Sequence, residues 1–505
     1  MHKIFFLLLS CHFVIRTVAQ PTATGNEQHR PLLHFSPKAH WMNDPNGMFY
    51  QNGLYHLFFQ YYPNDIKWGP MHWGHATSTD MLHWKEQAIA LYPDSLGYIF
   101  SGSAVVDKHN TSGFGKQGKA PIVAIFTHHN PDGEKAKRND FQNESIAYST
   151  DDGKTWTKYS GNPVLKNPGI TDFRDPKVSW YEAGKKWIMT LATKDRITFY
   201  SSPNLKTWTK ESEFGEKLGA HGGVWECPDL MPFTYNGKKL WVLLVSINPG
   251  GPNGGSATQY FVGDFDGKKF SAFDIDTKFM DYGTDNYAGV TFSNLGNRNV
   301  LIGWMSNWQY AQDVPTKTWR SAMTLPRELS LQNIAGKYYL NSFPAKENIA
   351  LEKGKVQLKN INVNGTYDVS KAVKASDSLF RMDITTTNKS FEVVLSNNEN
   401  ESVSFGYDKD SSRYYIDRTN PGKIDFEAGF AKRHYAPRIS VANNINLTLI
   451  VDVASVEVFA DNGLTTMTDI FFPNKAFTKV TIKAKDKLLF PSISYSKLAP
   501  ALATN

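Results

Sequence analysis

Cysteine is almost missing from this 505-residue chain, which has only two, Cys11 and Cys227. Cys11 falls in an N-terminal stretch that reads as a removable export signal. That leaves Cys227 as the one cysteine of the mature chain and excludes an intramolecular disulfide framework. A chain of this length can hold itself together by packing instead. Long hydrophobic runs are also scarce. Ile4 to Leu9 is too short to span a bilayer, and with His2-Lys3 before it and Thr17-Val18-Ala19 after it, it fits a signal peptide over residues 1–19. Leu8-Leu9-Ser10-Cys11 faintly resembles a bacterial lipoprotein box, but cleavage there would leave a very short signal. The chain is therefore expected to be exported, with no membrane insertion of the mature part. Dense basic blocks are absent too: the net charge of +7 is spread along the chain, which argues against nucleic-acid partners.

Grouped metal ligands are equally hard to find. His72 and His75, or His128 and His129, lack a clear third ligand, and structural or wall histidines are the better reading. Gly250 to Gly255 opens no recognisable helix and is read as a loop, not a phosphate cradle. Cys227 has no local histidine to activate it, so it is read as a small buried residue. Sequons occur at Asn110, Asn143, Asn364, Asn388, Asn400 and Asn446, and they carry glycans only in a host that glycosylates.

Aromatics and turn formers are abundant: 13 Trp, 23 Tyr, 32 Phe, 37 Gly and 25 Pro favour a β-rich chain with many turns. Phe49 to Gln60 reads as strand, Asn-Gly turn, strand, and the pattern returns at Trp180 to Met189 and Phe233 to Val242. A second echo, Ser78-Thr79-Asp80 with Trp84, recurs as Ser149-Thr150-Asp151 with Trp156 and as Ser201 to Asn204 with Trp208. These intervals are on the scale of propeller blades with loop insertions, and the span holds about five of them. The expected fold is all-β: a five-bladed propeller over 30–335, a linker over 336–355, and a β-sandwich over 356–500 with no tryptophan. The last is read as structural or accessory.

Three segments put a carboxylate just before proline: Asn43-Asp44-Pro45, Arg174-Asp175-Pro176 and Glu226-Cys227-Pro228. On a propeller all three acids could project toward the central axis. Converging carboxyls suit glycoside hydrolysis, in which one acid must be ionised and another must carry a proton. From sequence neighbours alone, Arg174 should favour the ionised form of Asp175, while Glu226, between Trp225 and Cys227, should sit in the more apolar setting of a proton carrier.

Trp41-Met42-Asn43-Asp44-Pro45-Asn46-Gly47, Trp68 to His75, Phe100-Ser101-Gly102-Ser103-Ala104, Arg174-Asp175-Pro176 and Glu226-Cys227-Pro228, in this order, resemble the motif set of glycoside hydrolase family 32. Ser455 to Phe459 resembles that family's sandwich domain. The resemblance implies hydrolysis of β-fructofuranosides with retention and without metal or organic cofactor. Asp44 matches the nucleophile, Glu226 the acid/base and Asp175 the transition-state stabiliser. Asn43, Gln60, Trp68, Ser101, Arg174 and Trp304 fall where the family contacts a terminal fructose, and Asp285 to Ala288 resembles a further site segment.

The expected partner is thus a fructan or fructooligosaccharide, with exo action favoured because the matched residues serve one terminal unit. An endo-acting groove and a fructosyltransferase remain alternatives on the same fold. A non-catalytic carbohydrate-binding propeller is the alternative from another class, and a sialidase-like site would want an arginine cluster, whereas only Arg174 lies within the carboxylate motifs. Linkage preference depends on the rim loops Thr127 to Asn143 and Asn248 to Ser256. Oligomeric state is left open.

Overall fold

The Asn-Gly hairpins form where the alternation puts them. Trp41–Gln51 and Leu54–Tyr62 pair antiparallel around Asn52 (φ 50°) and Gly53 (φ 82°), the two left-handed residues that a tight hairpin turn demands. Asn236 and Gly237 repeat the geometry between Val224–Tyr235 and Lys238–Asn248. A computed structural model describes residues 27–501 apart from 117, 376 and 377; the expected signal peptide lies outside the described residues.

Five small antiparallel sheets follow one another around a central axis. Their innermost strands are Trp41–Gln51, Tyr98–Val106, Phe173–Tyr181, Val224–Tyr235 and Tyr287–Thr291. Each touches the next, and the first closes onto the last through a bridge between Phe49 and Ser293. The Ser/Thr-Asp echo closes turns at the outer edges of blades. Asp80 accepts the backbone N–H groups of Leu82 and His83, Asp151 accepts that of Thr155, and Asn204 those of Lys206 and Thr207. The indoles of Trp156 and Trp208 tuck beneath, donating to the carbonyls of Gly153 and Leu205.

The propeller runs further than expected. Arg327–Ile334 and Lys337–Pro344 pair as outer strands of the fifth blade, so residues 337–344 belong to that sheet and not to a linker. A short 3-10 segment, Lys346–Leu351, then leads directly into Glu352–Asp368, the first strand of the second domain. That domain is a ten-stranded antiparallel arrangement around a core of branched aliphatic and aromatic side chains that includes no tryptophan. Among the sequons, Asn143 is poorly placed for a glycan: its side chain donates to Asp140 O and accepts from Asn167 N, and Ser145 is buried.

The sandwich also supplies something the sequence did not suggest, a dense set of buried charges facing the propeller. Glu457 accepts from Arg327 Nε (2.8 Å) and contacts His34 Nε2 (2.8 Å), while Asp452 contacts His34 Nδ1 (2.7 Å). Arg327 also donates to Asp281 (2.8 Å). A second group centres on Arg418 of the sandwich, which donates to Asp285 (2.6 Å) and Tyr310 (2.9 Å) of the propeller. All of these side chains are buried, so each charge depends on its partners for the solvation it has lost.

His34 responds to this setting. Burial alone would depress its imidazole, but hydrogen bonds and charge from Asp452 and Glu457 overcome that and hold its pKa at about 9. Burial would likewise raise Glu457, yet the charges of Arg327 and His34 pull it down to about 2. A raised folded-state pKa contributes stability that is complete below about pH 6.5 and is lost as pH climbs through about 9. The melting temperature of the wild-type protein should therefore fall between pH 7 and pH 10. In His34→Gln it should start lower and fall less over that range; parallel curves would show that His34 is not the titrating group.

Candidate active site

All five innermost strands lose register at the same end of the funnel. Two residues face one on the neighbouring strand at Asn43 and Asp44, at Phe100 and Ser101, at Asp175 and Pro176, at Cys227 and Pro228, and at Ala288 and Gly289. Such bulges twist a strand and re-aim its side chains. Prolines 45, 176 and 228 have no N–H to offer a ladder, which accounts for the break in three of the five. Asp175 (φ 66°), Cys227 (φ 45°) and Ala288 (φ 53°) take left-handed backbone conformations that side chains rarely adopt. Gly47 (φ 50°) cannot be larger, since a Cβ there would lie 2.7 Å from the Trp73 ring.

The result is a basin of about 240 Å³ at the mouth of the funnel. Asn43, Asp44, Gln60, Trp68, Ser101, Arg174, Asp175 and Glu226 all line it. Asp44 is fixed from three sides: Ser101 Oγ donates to Oδ2 (2.6 Å), Asn43 Nδ2 to Oδ1 (3.0 Å), and Cys227 Sγ lies 3.5 Å from Oδ2. Asn43 is in turn held by Trp41 Nε1 (2.7 Å). Asp175 accepts from the backbone N–H of Cys227 (3.0 Å), whose Sγ is 3.5 Å away. The thiol thus sits between two carboxylates, and burial together with their charge pushes it well above its ordinary range.

The charges are distributed differently from the expectation. Arg174 turns its guanidinium to Glu226, with Nη2 2.9 Å from Oε1, and braces against Asp172 on its other side. Although Arg174 and Asp175 are adjacent and line the same basin, the guanidinium is taken up by Glu226 and Asp172 and makes no hydrogen bond to Asp175. Burial pushes Asp175 up to about 7, with the charges of Glu226 and Asp44 adding to the rise, against the pull of Arg174 and the Cys227 N–H. Burial also raises Asp44, opposed by its bond from Ser101. Glu226, expected in an apolar setting, is surrounded by polar groups: Trp225 points away into the core, while Arg174 and the Tyr287 hydroxyl both donate to the carboxylate.

Trp304 departs from its expected role as a wall. It is fully buried behind Trp41 and Trp308, its Nε1 has no hydrogen-bond partner, and it is Trp308 that faces the basin. The segment Asp285 to Ala288 divides its duties: Asp285 turns to Arg418 at the domain interface, and Tyr287 turns to Glu226. Among the described residues, no cluster of three His, Cys, Asp or Glu is disposed to hold a metal ion.

Residues 34–343 match the family model for the glycosyl hydrolases family 32 N-terminal domain, and residues 347–497 match that for the glycosyl hydrolases family 32 C terminal. The chain belongs to glycosyl hydrolase family 32. A levanase of Bacillus subtilis (strain 168) is 45% identical, over 94% of this chain and 70% of its own. An extracellular exo-inulinase of Aspergillus niger is 41% identical, over 89% and 90%. The crystal structure of an exo-inulinase from Aspergillus awamori superposes with a TM-score of 0.86 at 36% identity, covering 94% of this chain and 99% of that one.

Within this family 32 glycoside hydrolase, several contributors carry no motif of their own. His129, Glu134, Phe141, Gln142, Asp172 and Trp308 complete the wall beside Phe100 of the Phe100-to-Ala104 motif. Behind Asp175, its backbone N–H reaches Thr127 Oγ1 (3.1 Å), which donates to the fully buried Glu144 (2.9 Å), a carboxyl pushed well up by burial. Nothing in the sequence linked Thr127 and Glu144 to Asp175.

Tyr287 is the clearest addition, because its hydroxyl is one of two donor groups on Glu226. A hydrogen bond to a charged group is typically worth about 1.5–3 kcal/mol, so Tyr287→Phe should lower kcat/KM by at least about tenfold while leaving the melting temperature near that of the wild type. Unchanged kinetics would remove Tyr287 from the site's working parts.

Proposed function

We propose that this family 32 enzyme is a retaining, exo-acting β-fructosidase that releases fructose from the terminal β-fructofuranosyl residue of fructans, whether levan or inulin, and of sucrose. The observation that carries the reading is the convergence of Asp44, Asp175 and Glu226 on one basin, each on a bulged innermost strand of a different blade. The relatives' names, a levanase and an exo-inulinase, support the substrate class. The hydroxyl-reading groups around the acids, Asn43, Gln60, Ser101 and Arg174, suit a sugar.

In this mechanism Asp44 attacks the anomeric carbon. Its carboxylate is pre-aimed by Ser101, Asn43 and Cys227, so little reorganisation is needed at the moment of attack. Glu226 gives a proton to the leaving oxygen, and fructose is held covalently through Asp44. Glu226 then takes a proton from the water that releases it. Asp175 holds fructose hydroxyls; a carboxyl raised by burial and fixed by the Cys227 N–H makes strong hydrogen bonds to them without competing as a second nucleophile.

Exo action is supported by the gathering of all three acids in one compact basin of about 240 Å³ and by the Aspergillus niger relative, named as an exo-inulinase. Export fits the Aspergillus niger relative, named as extracellular. Among the described residues no helix is long and apolar enough to cross a membrane.

The test is product analysis over time on levan, inulin and sucrose, with Asp44→Asn alongside. Fructose should be the sole early product, and the variant should lose at least about a thousandfold in kcat, as removal of a nucleophile does. Early oligosaccharides would mean an endo-acting enzyme, and absence of activity on every fructan would overturn the substrate class.

A further inference from the structure

The five innermost strands belong to five separate sheets, so no continuous backbone ladder sets the distance from one to the next. Within a few residues past each bulge they are tied by polar groups instead. Asn46 Oδ1 accepts the Gly102 N–H (3.1 Å), joining the first blade to the second. Ser103 Oγ donates to Pro176 O (2.8 Å) and accepts from Val178 N (2.9 Å), joining the second to the third. Lys177 Nζ lies 3.0 Å from Asp229 Oδ2, joining the third to the fourth. The same oxygen accepts the backbone N–H and the hydroxyl of Thr291, each at 2.7 Å, joining the fourth to the fifth. Ser293 N donates to Met48 O (2.9 Å) and closes the fifth onto the first. A polar girdle thus encircles the axis, with a link for each pair of neighbouring blades.

Three of these links join neutral groups. The two that hold the fourth blade both run through Asp229, and Lys177 is the cation that meets it. Asp229 is 1% exposed, and the ammonium also donates to Thr291 O (2.6 Å), so Lys177 of the third blade touches the fourth and the fifth at once. A charge so far out of water depends on its partners, which makes this the stiffest and most vulnerable part of the girdle.

The clamp stands next to the acids along the chain yet apart from the basin. Asp175 and Glu226 line the basin, whereas Lys177, Asp229 and Thr291 line a separate cavity of about 350 Å³. On the fourth innermost strand the register slips between Glu226 and Asp229, and the clamp on Asp229 is the next fixed point along that strand. Tyr287, which donates to Glu226, precedes Thr291 on the fifth innermost strand. The carboxylate of Glu226 and its tyrosine donor are therefore anchored through the same ion pair.

We propose that Lys177 and Asp229 are positioning residues for the reaction: their ion pair holds the fourth innermost strand so that Glu226 meets the leaving oxygen while Asp44, on the first, attacks. The proposal rests on the reading of Glu226 as the acid/base. Neither residue of the pair touches substrate. Asn43, Gln60 and Ser101, three of the groups that face the sugar, stand on the first and second blades, whose own tie does not involve the pair. A displaced fourth strand therefore acts on turnover and leaves binding in place.

Lys177→Met tests it, because the cation is lost while Asp229 keeps both donors of Thr291. On whichever of levan, inulin or sucrose the wild type degrades fastest, and well below the variant's melting temperature, kcat should fall about tenfold with KM within about twofold. Asp229→Asn, which keeps an acceptor oxygen and loses the charge, should show the same split with a smaller fall. The double variant should be no slower than Lys177→Met, since both changes break one contact. Folded variants with unchanged kcat, a rise in KM alone, or losses that multiply in the double variant would overturn the proposal. So would failure of both single variants to fold, which would make the pair purely structural. Glu226→Gln, assayed alongside, separates the two readings: wild-type kcat there would overturn the acid/base assignment and the proposal together, whereas its loss beside a fully active Lys177→Met would overturn the proposal alone.

Discussion

A broken backbone ladder does more for this molecule than any single side chain. In a propeller the innermost strands run close to the axis, and a regular strand there would alternate its side chains between the two faces of its own sheet. At the funnel mouth each of the five strands instead sets two residues against one, and the catalytic candidates lie in or beside those interruptions. Bulging lets neighbouring residues such as Asn43 and Asp44 both reach the basin. The cost in lost ladder bonds is met locally: Gly102 N donates to Asn46 Oδ1 (3.1 Å), and Cys227 N donates to Asp175. Backbone groups freed from the sheet thus find side-chain acceptors, and one of them, the Cys227 N–H, orients a carboxylate.

Legibility in the sequence depends on whether the cause of a feature is local. Proline beside a carboxylate is a local cause, so Asp44, Asp175 and Glu226 stand out as a set in the amino-acid order alone. The Asn-Gly hairpins and the Ser/Thr-Asp turns are local as well, and they mark out the blades. Electrostatic partners are not local. Arg174 beside Asp175 looks like a pair along the chain, but it reaches across to Glu226 on the next blade, and the apolar neighbours of Glu226 point elsewhere. Trp304 is legible as an aromatic near the site, but its rank behind Trp308 depends on how the turn carrying Trp308 folds over the strand Val300–Met305. The expected domain boundary falls too early because Lys337–Pro344 is a plain alternating strand whose partner, Arg327–Ile334, lies on the propeller side of the expected break.

The second domain is the hardest to weigh from its residues. Its sequence offers scattered charges and one family-like segment, Ser455 to Phe459, with no concentrated chemical groups, and an accessory reading follows. In the folded molecule Arg418, Glu457, Asp452 and Asp469 are sealed against Asp285, Arg327, His34 and Thr284. A buried charge stripped of its partner is strongly unfavourable, typically by about 3–5 kcal/mol. Asp285 is two residues from Tyr287, whose hydroxyl meets Glu226, so the sandwich steadies the start of the fifth innermost strand and, through it, Glu226, the proposed acid/base.

The seam between the domains also sets the grain of the whole protein. Cutting the chain after Pro344 would leave Asp281, Asp285 and Arg327 facing water they are not shaped to meet, and would leave Glu457 and Asp469 in the same position on the other piece. Apolar side chains cross the seam too, Leu325 packing with Ile450 and Phe459 and Tyr310 with Phe430 and Phe472, and a cut would expose them on both pieces. The two domains are distinct in architecture yet form one cooperative unit, and heating should take them apart in a single transition in place of two. Exchanging sandwiches between relatives, a natural way to build chimeric fructosidases, would succeed only where the incoming domain carries the matching set of charges.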